Sequence, residues 1–347
     1  MRLILCLALC LVGLTAAEDA GGERLVIRKP TGPATVARTP VTNTRIRELF
    51  DAWKASAGLT SRVLRGRNVV IELVGGATMT APEKGLELAD LAMRGLDQWT
   101  GDQGLFSGAV EDDERHWLVY MPDEGVFDRF LDHLYANGVG RPRGEDLARS
   151  LKTVNFLRFR VTTATKADRT NPHQFIYSAV CSAIDTYYVE YSPEELRKEG
   201  AAQAPAWIRE GINAEMQRLL TPDKAIRCTT ISYEMSDPQG VTVNWAADVR
   251  QYIQGANGKY KGKLLPANQV MILTLTKLDP IQYRQLWSWC GYVRAQSGTV
   301  KGEQNRFFQV IRSTAAGETS GTAIHRIFGW KDPAMSNAWV QWAMGQK

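Results

Sequence analysis

The sequence predicts an α+β protein: a mixed α/β N-terminal half built on a small sheet, then a mainly helical C-terminal half. Three observations predict it. Short β-branched or alternating stretches occur only before about residue 165. Amphipathic helical stretches separate them, and beyond that point strand signals give way to helices broken by Pro and Gly.

Arg2, an apolar run from Leu3 to Leu14 and small residues at Thr15, Ala16 and Ala17 have the layout of a cleavable export signal spanning residues 1–17. Residues 18–44 are polar, rich in Gly, Pro and Thr and free of periodicity, which makes an extended leader. The N-terminal half is then 45–166 and the helical half 167–347.

In the first half, Ile46, Leu49, Phe50 and Trp53 start the helical pattern. Residues 68–74, β-branched and flanked by Gly66 and Gly75-Gly76, form a buried strand. A helix opens at Pro82, with Leu88, Leu91, Ala92, Leu96 and Trp99 on one face. Residues 117–121 are a short strand, and Asp123 caps a helix carrying Phe127, Phe130, Leu131 and Leu134. Residues 138–144 make a loop. Residues 155–162 alternate as one half-exposed edge strand, with Leu157, Phe159 and Val161 on one face and Phe156, Arg158 and Arg160 on the other. Further helices are expected over 172–191, 205–220, 245–253, 267–275, 281–296, 302–315 and 335–343.

The net charge is +5 with Lys and Arg scattered among Asp and Glu, so nothing directs the chain to nucleic acid. No segment after the signal is long enough to span a membrane stably. After signal removal Cys181, Cys228 and Cys290 remain, which allows one internal disulfide of undetermined pairing.

The string Pro205-Ala206-Trp207-Ile208-Arg209-Glu210-Gly211 resembles the second metal-binding helix of the peptidase MA-like gluzincins, zinc metallopeptidases with the pattern P-x-W-[LI]-x-E-G-x-A. Asn213 departs from the final alanine, and Ala214 follows one residue late. The order of strand, long helix, short strand at Leu118-Val119-Tyr120 and helix at Phe127 is similar to the family's. So is Ile327-Phe328-Gly329 followed by Trp339. The resemblance implies a zincin-like fold, with Glu210 in the place of the third zinc ligand.

The same resemblance calls for H-E-x-x-H roughly 25 residues earlier, where two histidines one turn apart hold the metal together. The chain lacks it: of His116, His133, His173 and His325, no two are four apart. Cys181-Ser182-Ala183-Ile184-Asp185 or Tyr177-Ser178-Ala179-Val180-Cys181 stands in its place, and the first leaves helical turns on both sides. His173-Gln174-Phe175-Ile176-Tyr177 keeps one histidine but sits in the first turn.

The reading is a secreted or periplasmic pseudoenzyme, a catalytically inactive gluzincin-like protein. Its residual cleft is lined by Cys181, Ser182, Asp185, Trp207 and Glu210. It has no catalytic residue and no cofactor, and Glu210 is a metal ligand only if zinc is retained. A peptide or protein segment is the expected partner, laid along the edge strand beside Phe156, Arg158 and Arg160. Cys181 itself reads as a buried small hydrophobe. Two rivals stand beside this one. An active hydrolase would use substituted zinc ligands, Cys181, Asp185 and Glu210. A purely structural envelope protein would have its cleft filled by side chains. The tryptophans at 287, 289, 330, 339 and 342 read as core anchors.

Overall fold

The computed structural model describes residues 37–77, 81–101, 104–108, 111–139, 153–156, 160–164, 173–221, 244–274, 278–298, 305–331 and 333–346. The export signal, most of the leader, Arg158 and Cys228 lie outside them.

Helix α1 (Thr44–Ser56) precedes strands β1 (Ser61–Arg65) and β2 (Val69–Val74). Helix α2 (Pro82–Thr100), strand β3 (His116–Tyr120) and helix α3 (Glu124–Ala136) follow, then β4 (Thr153–Phe156) and β5 (Val161–Ala164). The strands form one five-stranded sheet in the order β1-β2-β3-β5-β4. β2, β3 and β5 run parallel at its centre, and β1 and β4 join them antiparallel at the two sides.

Period-two alternation sends the two faces of this sheet into different cores. Val70, Val74, Trp117 and Val119 meet Ile46, Phe50 and Trp53 of α1 and Phe127, Phe130 and Leu134 of α3. Phe50 sits edge-on to Trp117 at 4.8 Å and to Phe130 at 5.2 Å, a geometry that contributes about 1 kcal/mol per pair beyond burial. Val69, Ile71, Leu118 and Tyr120 meet Leu88, Ala92 and Leu96 of α2 and the helices beyond. Asp123 caps α3 as its position suggests, accepting from the Val126 amide at 2.8 Å.

The second half consists of α4 (His173–Tyr191), α5 (Glu194–Glu199), α6 (Ala206–Leu220), α7 (Trp245–Gln254), α8 (Ala267–Val270), α9 (Pro280–Ala295), α10 (Arg306–Ala315), α11 (Ser320–Phe328) and α12 (Ala334–Met344). Trp289 and Trp339 are fully buried, and Trp287, Trp330 and Trp342 are partly buried against the same core. That core runs without a break from the sheet face into the helices. No helix among the described residues is long and apolar enough to cross a membrane.

Two expectations are corrected. Residues 155–162 are not one strand. Asn155 pairs with Thr162 and Phe156 with Val161 across an antiparallel hairpin, and Arg160 enters β5 with a left-handed φ of 49°. Arg160 is therefore not displayed on an edge. It is buried, with its guanidinium bonded to Glu190 and to the carbonyls of Val41 (2.8 Å) and Glu114 (2.8 Å). The hairpin leaves β4, with Phe156, as the outer strand. The helix expected over 267–275 is also shorter than its pattern, ending at Val270.

Candidate functional site

Helices α4 and α6 pack against each other in the middle of the molecule, and both are buried on nearly every side. Residues 175–190 and 206–217 are buried throughout. Such helices must satisfy their polar side chains within the protein, since an unpaired buried charge costs several kcal/mol.

On α4, Tyr177, Cys181 and Asp185 recur at four-residue spacing and so share one face. That face meets α6. Asp185 Oδ2 accepts from Arg209 Nε at 2.9 Å. Arg209 Nη1 donates to the Tyr177 hydroxyl at 3.2 Å and to the Glu210 carboxylate beside it. Glu210 accepts from two tyrosines as well, Tyr177 on Oε1 at 3.2 Å and Tyr283 of α9 on Oε2 at 2.9 Å. Cys181 Sγ accepts from Asn213 Nδ2 at 3.6 Å, and Gln217 donates to Asn213 Oδ1 at 3.1 Å. Burial works against the charge on Arg209. Asp185, Cys181, Tyr177 and Glu210 outweigh it and hold the guanidinium well above its ordinary pKa, so it is a permanent cation.

Of the five residues expected to line a cleft, Cys181, Asp185 and Glu210 meet at the α4–α6 contact, but not around an opening, and Ser182 and Trp207 point elsewhere. Cys181, Ser182, Asp185, Trp207 and Glu210 are all at most 5% exposed. Trp207 is a core anchor whose indole donates to Ser320 Oγ at 2.9 Å. Glu210 faces neither cleft nor solvent, being enclosed by Arg209, Tyr177 and Tyr283. Gly211 is required by packing: a Cβ there would collide with Cys290 of α9 and lie 3.1 Å from the Leu286 carbonyl. Cys290 is buried, and burial raises its thiol pKa well above the ordinary value. Cys181 is buried, as its reading as a small hydrophobe requires.

A zinc ion does not fit these side chains as they stand. Two carboxylates of the implied ligand set are bonded to a guanidinium, and the thiol sulfur is engaged by an amide N–H. Among the described residues no three His, Cys, Asp or Glu side chains are grouped as a metal site.

Ser182 faces the other way, toward the sheet, where its Oγ lies 2.9 Å from His116 Nδ1. The other ring nitrogen, Nε2, lies 3.5 Å from Arg160 Nη1, a long contact in which an arginine can only donate. We therefore assign the ring proton to Nδ1, donating to Ser182. Burial, with Arg160 adding to it, depresses the His116 pKa well below 6.5. A neutral imidazole that gives its proton to the serine cannot act as that serine's base, so the pair lacks the arrangement of an activated nucleophile.

Arg209, Tyr177, Tyr283 and His116 were not singled out as site residues from the sequence. Arg209 occupies a variable position of the motif, and its partner Asp185 is 24 residues away. Its one signal was a cation immediately before the motif glutamate.

No family model matches the chain, and no curated protein matches it significantly.

Proposed function

We propose that this is a non-catalytic protein of gluzincin-like, zincin-type architecture, secreted or periplasmic, in which an arginine takes the place of the metal. The observation that carries this reading is Arg209, bonded to Asp185 and Glu210 between α4 and α6. In the preferred register these carboxylates occupy the places of the second and third zinc ligands. A fixed guanidinium there neutralises buried carboxylates as a metal would, but offers no Lewis acid and no site for a bound water. The proton placement at His116 and Ser182 supports the same reading against serine-based hydrolysis.

With the α4–α6 interface closed, the function we infer is binding through the surface, and the outer strand β4 is the place for an extended peptide or protein segment to add. Arg160 takes no part in that, being held by Glu190.

The test is the zinc content of the purified mature protein after equilibration with zinc and removal of loose metal, beside a Glu210→Ala variant. The expected result is well below one zinc per chain in both. One zinc per chain that disappears in Glu210→Ala would overturn the proposal in favour of a metallohydrolase with substituted ligands.

A further inference from the structure

Between α7 and α8, residues 255–266 form neither helix nor strand, but a projection braced by its own backbone. The Gly258 and Tyr260 amides donate to the Gly255 carbonyl at 2.9 and 3.0 Å, the Lys261 amide to Gly258 at 3.0 Å and the Lys263 amide to Tyr260 at 2.9 Å. Tyr260 ties the projection to α7, its ring edge-on to Tyr252 at 4.9 Å. Gly255 makes room for that ring, since a Cβ there would come within 2.6 Å of Tyr260 Cδ2. At the tip, residues 257–259 and 261–263 are exposed, and a Cβ built on Gly262 meets nothing within 4 Å.

Lys259, Lys261 and Lys263 occupy alternate positions of this tip. Elsewhere Lys54, Lys84 and Lys198 each hold a carboxylate. The three lysines of the tip hold none among the described residues, and Lys259 lies over the Tyr260 ring at 5.1 Å. The nearest acidic residues in sequence on either side are taken: Asp248 accepts from Arg284 Nε at 2.6 Å, and Asp279 caps α9. No Asp or Glu stands between them. The tip therefore presents unneutralised positive charge on a shape fixed before any partner arrives, which lowers the ordering cost of binding.

Chemistry narrows the partner. Lysine ammoniums are compact, strongly hydrated charges that attract an anionic surface without the bidentate fork by which arginine reads a single phosphate. The Tyr260 ring, packed on Tyr252 and covered by Lys259, is not free for a nucleic-acid base to stack on. The same connection also carries an apolar side chain in water. Helix α8 stops at Val270, and Ile272 just beyond it is 76% exposed, more than any other large apolar side chain among the described residues. A soluble polyanion has no apolar phase to receive it, whereas a bilayer interface offers one beside its charged headgroups.

We propose that the segment 255–272 docks this protein on an anionic membrane surface, with Lys259, Lys261 and Lys263 meeting headgroup phosphates and Ile272 entering the interface. Each lysine held near such a surface strengthens binding about five-fold. The inference shares no residue with the α4–α6 interface or with β4.

The test is co-sedimentation of the mature protein with vesicles of phosphatidylcholine alone and with about 40% phosphatidylglycerol added, at about 0.1 M NaCl. Binding to the anionic vesicles only, weakening as salt is raised, is the expected result. Lys259→Gln, Lys261→Gln and Lys263→Gln together should weaken it about ten-fold or more with an unchanged melting temperature, which separates lost binding from lost folding. Ile272→Ser should weaken vesicle binding about three-fold or more, while leaving any binding to dextran sulfate, a soluble polyanion, unchanged. No binding of the wild type to anionic vesicles, or a triple variant that binds them as well as the wild type, would overturn the proposal. Equal vesicle binding by Ile272→Ser would overturn the membrane as the partner in favour of a soluble polyanion.

Discussion

Replacing Arg209 by methionine keeps much of the side-chain volume but removes the cation that Asp185 and Glu210 share. Both carboxylates are at most 5% exposed, so water cannot take its place. Breaking a buried pair by removing one partner costs about 3–5 kcal/mol. At an unfolding entropy of about 2.1 cal/mol/K per residue, a chain of 347 residues shifts by about 1.4 °C per kcal/mol, so the melting temperature should fall by about 4–7 °C. Calorimetry at pH 7.5 on the wild type, Arg209→Met, Asp185→Asn and the double variant makes a complete cycle. Because Asp185→Asn removes the charge that Arg209→Met strands, the double variant should lose clearly less than the two single losses added together. A fall of less than about 2 °C in Arg209→Met, or strict additivity, would refute the argument that this guanidinium stands in for a metal's charge.

Two further outcomes follow from the same packing. His116 is neutral in the folded protein with its pKa well below 6.5, whereas in the unfolded chain it takes up a proton near 6.5. The unfolded state therefore binds more protons below that pH. The stability this contributes is fully present well above pH 6.5 and falls as the pH drops below 6.5 toward the folded value, by at most about 1.4 kcal/mol per pH unit. Urea unfolding of the wild type against His116→Gln should show that slope only in the wild type, and equal slopes would remove His116 as its source. Gly211→Ala places a methyl group against Cys290 and should lower stability by about 1–3 kcal/mol, read as a shift in the urea midpoint at constant slope. An unchanged midpoint would mean that α6 and α9 can separate freely.

Elements with one wet side or a clear stop signal were legible. Pro82 and Asp123 open α2 and α3 where their chemistry places them. The α6 helix began beside Pro205 as the motif suggested. The difficulty lay with helices that have no wet side. Ile208, Ile212, Met216 and Leu219 have the spacing of one apolar stripe on an amphipathic helix, but residues 206–217 are buried all round and Leu219 is 47% exposed. Periodicity reports a face only where another face meets water. Alternation misled at 155–162 because it says which side each residue takes and nothing about where the chain reverses. The partners of the buried polar groups were equally hidden. His116 and Ser182 are separated by 66 residues and Arg160 and Glu190 by 30, distances no local pattern spans.

The arginine between α4 and α6 also bears on any attempt to engineer a metal centre into this scaffold. Installing histidines at 181 and 185 would remove one of the two anions bonded to Arg209 and set a divalent ion to compete with the guanidinium for the other, Glu210, so the metal would be repelled by a neighbouring cation. Changing Arg209 first strands two carboxylates in the interior. Each single step is unfavourable, and a workable design must exchange residues 181, 185 and 209 together.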